Sequence, residues 1–207
     1  MYRRLENFRW VVPAGGEVTL RIRFYSEEVG HIDQTFNFEL LGTQKRYSLH
    51  CRGVCTFPTV SREPRVVFPH RKKNKRSEEI VHKKYILASE TLEMGPLLVG
   101  KSRDKYKEEP YPENVEKLTV LNSSPLPADV SFCFLADSRA ENFLLDPLAM
   151  SLKPGESQLL RLWAYPKHPG HVTDTLVCCV RENPEPILFK MACDGVRPEV
   201  ELDKKVL

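Results

Sequence analysis

No apolar run in this sequence approaches the ~20 residues that a helix needs to cross a bilayer. The opening residues, MYRRLENFRWVV, carry basic side chains but neither the long apolar segment nor the small-residue cleavage site of a secretion signal. Together these absences lead to the expectation of a cytoplasmic protein that does not engage a membrane. A large excess of charge of one sign is also missing. The formal net charge of +3 does not by itself imply a nucleic acid or a lipid surface as partner. The six cysteines, Cys51, Cys55, Cys133, Cys178, Cys179 and Cys193, show no CxxC spacing. In a reducing compartment they are expected to be free thiols, mostly buried as small hydrophobes. A zinc site lacks its second closely spaced ligand pair. There is no HExxH motif and no GxSxG elbow, and the paired carboxylates Glu78-Glu79 and Glu108-Glu109 lie in charged stretches where solvation accounts for them. The expectation is therefore a non-enzymatic chain without metal or cofactor.

What is present points to strands. Hydrophobic residues make up 41% of the 207, enough for a core, and sixteen prolines interrupt every stretch that might hold an amphipathic helix. The chain also repeats itself. Residues 12–60 and 152–200 share an ordered set of features. Pro13 through Glu17 (PAGGE) is echoed by Pro154 through Glu156 (PGE). Leu20-Arg21-Ile22 matches Leu160-Arg161-Leu162, Tyr25 matches Tyr165, and Gly30-His31-Ile32 matches Gly170-His171-Val172. Cys51, Gly53 and Val54 match Cys193, Gly195 and Val196. A period of about 140 residues is too long for a solenoid and has the size of a whole domain.

Each copy reads as three consecutive antiparallel strands. In the first, Val18, Leu20, Ile22 and Phe24 alternate with Thr19, Arg21 and Arg23, and Phe36, Phe38 and Leu40 alternate in the next. Period-two patterning marks a sheet with one wet face. The Gly-His steps look like strand entries, which leaves His31 and His171 no catalytic or metal role. Further strands are expected at Arg65–Phe68, Thr91–Val99, Glu116–Leu121, Asp129–Phe134 and Phe143–Leu145, with a turn at Asn122-Ser-Ser. About seven short strands joined by turns make an immunoglobulin-like sandwich. The fold class expected is all-β, tandem immunoglobulin-like sandwiches with the first incomplete. Residues 1–61 would be the C-terminal part of a truncated domain, 62–200 a complete one with basic loop insertions, and 201–207 a tail. The first copy has no counterpart to residues 64–147, so Met1 is expected to begin partway through a domain of a longer chain.

The order of these motifs resembles the ASH domains, immunoglobulin-like modules related to major sperm protein and to the pilus chaperone PapD. The stretch from Leu92 to Phe132, with its Asn122-Ser-Ser turn and Pro127-Ala-Asp-Val-Ser-Phe132, is similar to modules of the Hydin family. That resemblance implies a structural scaffold of the ciliary central pair, supporting cilium movement through contacts with axonemal proteins and flanking ASH domains. It implies a place in the cytoplasm, cytoskeleton and cilium axoneme. An alternative from the same resemblance is a peptide-binding adaptor of the major sperm protein type.

Two further features compete with this reading. Gly95-Pro-Leu-Leu-Val-Gly100-Lys101-Ser102 matches the phosphate-loop pattern. A working loop joins a buried strand to a helix and presents backbone N–H groups to phosphate. Here Pro96 has no N–H, three apolar residues suit a strand, and Pro110 and Pro112 cut short any following helix. A strand followed by a charged loop is expected instead of nucleotide binding. The basic run containing Arg71, Lys72, Lys73, Lys75 and Arg76 is the candidate partner-binding loop, with microtubules as one candidate partner. A solvated loop is the plain alternative. No aromatics alternate with these charges, so single-stranded nucleic acid is not the expected ligand. Lys101, Arg103, Lys105 and Lys107 form a second basic group with the same two readings.

Overall fold

A computed structural model describes residues 9–77 and 79–199. The expected tail at 201–207, the first eight residues and Glu78 lie outside the described residues. The chain divides into two compact units, Met1–Thr56 and Phe57–Leu207.

The second unit is an immunoglobulin-like sandwich. Its strands are β3 (Arg71–Lys72), β4 (Lys84–Ile86), β5 (Thr91–Leu98), β6 (Val115–Leu121), β7 (Ala128–Phe134), β8 (Phe143–Asp146), β9 (Ala149–Leu152), β10 (Ser157–Ala164), β11 (Gly170–Val180) and β12 (Ile187–Val196). One sheet runs in the order β3-β4-β5-β12-β11-β7-β9 and the other in the order β6-β10-β8. All the ladders are antiparallel except β3 with β4 and β5 with β12. Alternation decides which side chains turn inward. In β7, Ala128, Val130, Phe132 and Phe134 are buried while Asp129, Ser131 and Cys133 are exposed. They meet Leu118 and Val120 of β6, Phe143 and Leu145 of β8, and Leu160 and Leu162 of β10 in one core. Truncating any such buried leucine to alanine removes about 2–5 kcal/mol of stability.

Loops are tied down by short polar side chains. Asn122, 1% exposed, donates its carboxamide N–H groups to the Leu126 and Leu152 carbonyls at 2.8 and 3.1 Å. Its carboxamide oxygen accepts from the Ser124 amide and hydroxyl at 2.9 and 2.8 Å. Every hydrogen-bonding position of this buried side chain is therefore used, which explains the Asn-Ser-Ser turn between β6 and β7. Asp137 accepts from the Glu141, Asn142 and Phe143 amides at 2.5, 2.6 and 3.0 Å, closing the loop into β8.

Two sequence expectations change here. Residues 65–68 do not form a strand. Pro64–Val67 is a single helical turn, α1, with the Phe68 amide donating to the Pro64 carbonyl at 3.1 Å. Proline at the first helical position presets the backbone, and Val67 and Phe68 enter the core together rather than on opposite faces. The second change concerns the repeat. The second copy does give three strands, but β10 pairs with β6 and β8 in one sheet while β11 and β12 pair in the other.

In the first unit, β1 (Gly30–Glu39) and β2 (Arg46–Cys55) form an antiparallel ribbon. Ile32, Phe36 and Phe38 lie on its half-buried face. The expected strand at 17–24 does not form: the segment joins no ladder, and none of its backbone groups is hydrogen bonded to a described residue. Its counterpart β10 takes its ladder from β6 and β8, both within 64–147. Phe24 still lies over Gly53, where an added Cβ would sit 2.6 Å from the ring.

Candidate functional site

The phosphate-loop match lies on β5 and beyond it, and several of its residues are engaged in the fold. β5 sits between β4 and β12 inside the larger sheet, and Leu97 is 1% exposed. Gly95 has φ +86°, and a Cβ there would come within 2.5 Å of the Val81 carbonyl, so the glycine answers a close approach of backbone. The Val99 amide donates to the Val196 carbonyl at 3.1 Å and so is turned into the sheet. The Ser102 hydroxyl donates to the Asp104 carboxylate at 3.0 Å. Among the described residues no α-helix follows Ser102; short 3₁₀ turns occupy Tyr106–Glu108 and Pro112–Asn114. The Lys101 ammonium pairs with the Glu113 carboxylate, donates to the side-chain carboxamide oxygen of Asn114 at 3.0 Å and lies 4.4 Å from the centre of the Tyr111 ring. This lysine bond, then the backbone amide of Glu113 itself, holds the Glu113 carboxyl below its ordinary range.

The segment from Lys101 to Asn114 is a strap laid over the outer face of the smaller sheet. Tyr106 meets Trp163 edge to face at 4.8 Å, and Tyr111 meets Tyr165 at 6.4 Å. With Val115 and Leu144 they form a second apolar cluster in which Trp163 is 0% exposed. Ion pairs fasten the strap's margin. Lys107 bonds Asp146 at 2.6 Å, and Arg161 of β10 reaches both Asp146 and Glu109. Lys107 first, and Arg161 as well, keep the Asp146 carboxyl low against the opposing effect of its burial. Arg103 donates to the Glu141 and Ala140 carbonyls at 2.6 and 2.5 Å. Three members of the second basic group are thus committed to intramolecular partners. Lys105 makes only an exposed pair with Glu108 at 3.7 Å. Sequence reasoning missed the strap because Tyr106 and Tyr111 lie among lysines and glutamates, and only the fold brings Trp163 beneath them.

The candidate basic loop is divided between fold and solvent. Arg71 donates to the Phe68 carbonyl, and to that of Arg65 at 3.3 Å. Lys72 pairs with Glu79, whose carboxyl is lowered first by that bond and then by the Arg76 amide. Lys75 approaches the buried Glu93 at 3.5 Å. Lys73 and Arg76 are exposed and make no side-chain hydrogen bond or ion pair with a described residue. Of the five basic residues, only Lys73 and Arg76 thus lack a side-chain hydrogen bond or ion pair to a described residue.

His171 pairs across the ladder with Asp194 at 2.6 Å, both partly exposed, and His31 faces Val54. Among the described residues no three His, Cys, Asp or Glu side chains cluster as metal ligands, and no helix is long and apolar enough to cross a membrane. The cysteines depart from the expectation of general burial. Cys178 and Cys193 are buried, Cys51 and Cys55 are half-buried, and Cys133 and Cys179 are exposed on the outer face of the larger sheet. Alternation along β7 and β11 accounts for the last two.

No known protein-family profile matches the chain. It is 53% identical over 204 residues to the hydrocephalus-inducing protein of Mus musculus, covering 99% of this chain and 4% of that protein. It is 50% identical over 206 residues to the Homo sapiens homolog, covering 100% of this chain and again 4% of the relative. This chain is homologous to a segment of the Hydin proteins. Solved structures similar to it include the ASH/PapD-like domain 7 of human CEP192, with a TM-score of 0.39 and 13% identity over 58% of this chain and 86% of that one. The E. coli chaperone DraB has a TM-score of 0.33 and 16% identity over 40% of this chain and 47% of its own. The Hydin-like segment thus contributes a sandwich unit whose polar clusters serve the fold.

Proposed function

We propose that this Hydin-like chain is a non-catalytic scaffold module of the ciliary axoneme, acting in the central pair apparatus through protein–protein contacts. The end-to-end identity of 53% with the mouse hydrocephalus-inducing protein carries this reading. The chain spans about 4% of the length of that relative, so the module would be one unit of a larger assembly. Support also comes from the site geometry, in which Lys101 and Ser102, the residues that would handle a nucleotide, are engaged in the fold. A tagged chain expressed in motile-ciliated cells should be retained on detergent-extracted axonemes. A tag that is washed out with the soluble fraction would reject the reading.

The basic loop is the proposed contact, through Lys73 and Arg76 first and the remaining charge of Arg71, Lys72 and Lys75 second. An acidic surface such as the tubulin tails would complement it, and such binding weakens steeply with salt. Microtubule co-sedimentation should fall as salt is raised and should drop more for Lys73→Ala with Arg76→Ala than for Arg71→Ala. Salt-insensitive binding, or none, removes microtubules as the partner.

A further inference from the structure

The densest run of positive charge in the sequence ends on a hydroxyl. Five of the six residues before Ser77 are Lys or Arg, and no other serine or threonine follows more than two such residues within six positions. Residues 73–77 are all exposed and belong to no strand or helix. The loop is nevertheless anchored on both sides of this run. Arg71 and Lys72 form β3 beside β4, Arg71 donates to the Phe68 carbonyl, and Lys72 pairs with Glu79. The Glu79 amide donates to the Arg76 carbonyl at 3.1 Å, and the Arg76 amide donates to the Glu79 carboxylate at 3.3 Å. Ser77 is therefore held in a closed turn, and its hydroxyl makes no hydrogen bond to a described residue. Ser77, Lys75, Arg76 and the buried Glu93 line one cleft of about 610 Å³. In it Lys75 stands 3.5 Å from a Glu93 oxygen that receives no hydrogen bond from a described residue.

We infer that Ser77 is a phosphorylation site whose phosphoryl group cancels the positive charge of this loop. The cations ahead of the hydroxyl complement the acidic substrate cleft of a serine kinase, and the exposed run 73–77 is free of secondary structure that would keep it out. In the transfer the Ser77 Oγ attacks the γ-phosphorus of ATP and forms a new O–P bond. The bond from that phosphorus to the β-phosphate oxygen breaks, ADP leaves with the electron pair, and the hydroxyl proton passes to a base of the kinase. The product carries about −1.5 to −2 charge at neutral pH and three strong acceptor oxygens. Arg76 and Lys75 are the cations that share its cleft. Arg76 has no other side-chain partner among the described residues, and the phosphate offers Lys75 a stronger partner than its long contact with Glu93. The loop has two cations without a side-chain bond to a described residue, Lys73 and Arg76, so one phosphoryl group is enough to offset them. The consequence for a partner rests on the reading of this loop as the contact with an acidic surface. On that reading the modification is a release signal, because it removes the charge that holds the two surfaces together.

The test treats the full chain with magnesium ATP and a serine kinase that selects basic substrates, and maps the product by peptide mass. Ser77 should be the first hydroxyl modified, and Ser77→Ala should remain unmodified over the same time. Lys73→Ala with Lys75→Ala should slow the transfer by at least about tenfold. Modification that begins at another serine or threonine, or that does not occur, would overturn the site. The effect on charge is read on immobilised heparin, a polyanion that reports the loop without tubulin. The modified chain should elute at lower salt, and a phosphatase should return it to its original position. Unchanged elution would overturn the cancellation of charge. Trp163 shielded from quencher in both forms shows that unfolding is not the cause of the shift. Microtubule co-sedimentation measured in parallel should weaken about tenfold on modification. If neither form sediments, microtubules are removed as the partner, and the kinase and heparin results still decide the inference. If both forms sediment equally, the release signal is rejected.

Discussion

The ammonium of Lys101 donates to the side-chain oxygen of Asn114 at 3.0 Å, and Asn114 passes the connection on by donating to the Ala164 carbonyl at 2.6 Å. A lysine that in a phosphate loop would reach for phosphate here joins the strap to the end of β10. Its side chain is 10% exposed and Asn114 is fully buried, so the bond lies away from solvent screening.

Lys101→Ala should therefore act on stability. Losing charge-assisted hydrogen bonds at a buried site costs about 1–3 kcal/mol. Urea unfolding followed by Trp163 should show a loss in that range, and Lys101→Met, which keeps the stem over Tyr111, should lose part of it. Magnesium and ATP at millimolar concentration should leave the wild-type midpoint unmoved. A nucleotide-dependent rise in the midpoint that Lys101→Ala abolishes would restore the phosphate-loop reading.

Residues 95–102 mark how far the sequence could be read. Pro96 and the apolar run to Val99 identified a strand from local chemistry alone; alternation identified β1 and β7, the repeat carried the reading to β10 and β11, and the strands expected at 116–121 and 143–145 fall on β6 and β8. Pairing was less visible. Leu20 and Leu160 carry the same local pattern, yet only the latter is in a ladder, because strand formation depends on partners that are distant in sequence. Residues 65–68 failed for the opposite reason: four residues are too few to distinguish period two from a helical turn, and Pro64 decided the matter. At the candidate site the five basic residues of 71–76 were legible as a group. That Arg71 and Lys72 are internally committed was not, because Phe68 and Glu79 become their partners only when the loop closes.

Acid should loosen the second unit. Burial favours a raised value for Asp137, but the amides of Asn142, Glu141 and Phe143, with Arg103 nearby, outweigh it and hold the carboxyl below its ordinary range. Asp146 and Glu113 are lowered as well. A carboxyl with a depressed folded value contributes stability above its unfolded value and loses it as pH falls through the folded one. The urea midpoint should be flat from neutral pH to about pH 5 and then descend below about pH 4.5. Asp137→Asn should start lower at neutral pH and descend less. An equally steep descent in the variant would remove Asp137 as a cause.

The two repeat glycines should respond differently to alanine. A Cβ at Gly195 would sit 2.2 Å from the His168 carbonyl, so backbone must move; at Gly53 it would meet the Phe24 ring, which lies on an unpaired segment. Gly195→Ala should destabilise the second unit by about 1–3 kcal/mol, as overpacking against a fixed neighbour does. Gly53→Ala should leave the Trp163 unfolding curve in place and change only the Trp10 emission. Equal losses on the Trp163 curve would contradict the separation of the two units.

Thiol labelling tests the register of β11 one residue at a time. Burial first, with the neighbouring Cys179 and Cys133 adding to it, pushes the Cys178 thiol up to about 12. Burial, with Asp194 and Glu93 nearby, does the same for Cys193, also to about 12. At pH 8 only ~10⁻⁴ of such a thiol is thiolate, the reactive form. Cys133 and Cys179 are exposed and should take up iodoacetamide in the folded protein, whereas Cys178 and Cys193 should need urea. Because Cys178 and Cys179 are consecutive, peptide mapping of the labelled chain reads which of them faces solvent. Rapid labelling of Cys178 with Cys179 protected would mean that β11 is turned over by one residue. Leu176 and Val180 would then leave the core, and the packing of the two sheets against each other would have to be redrawn.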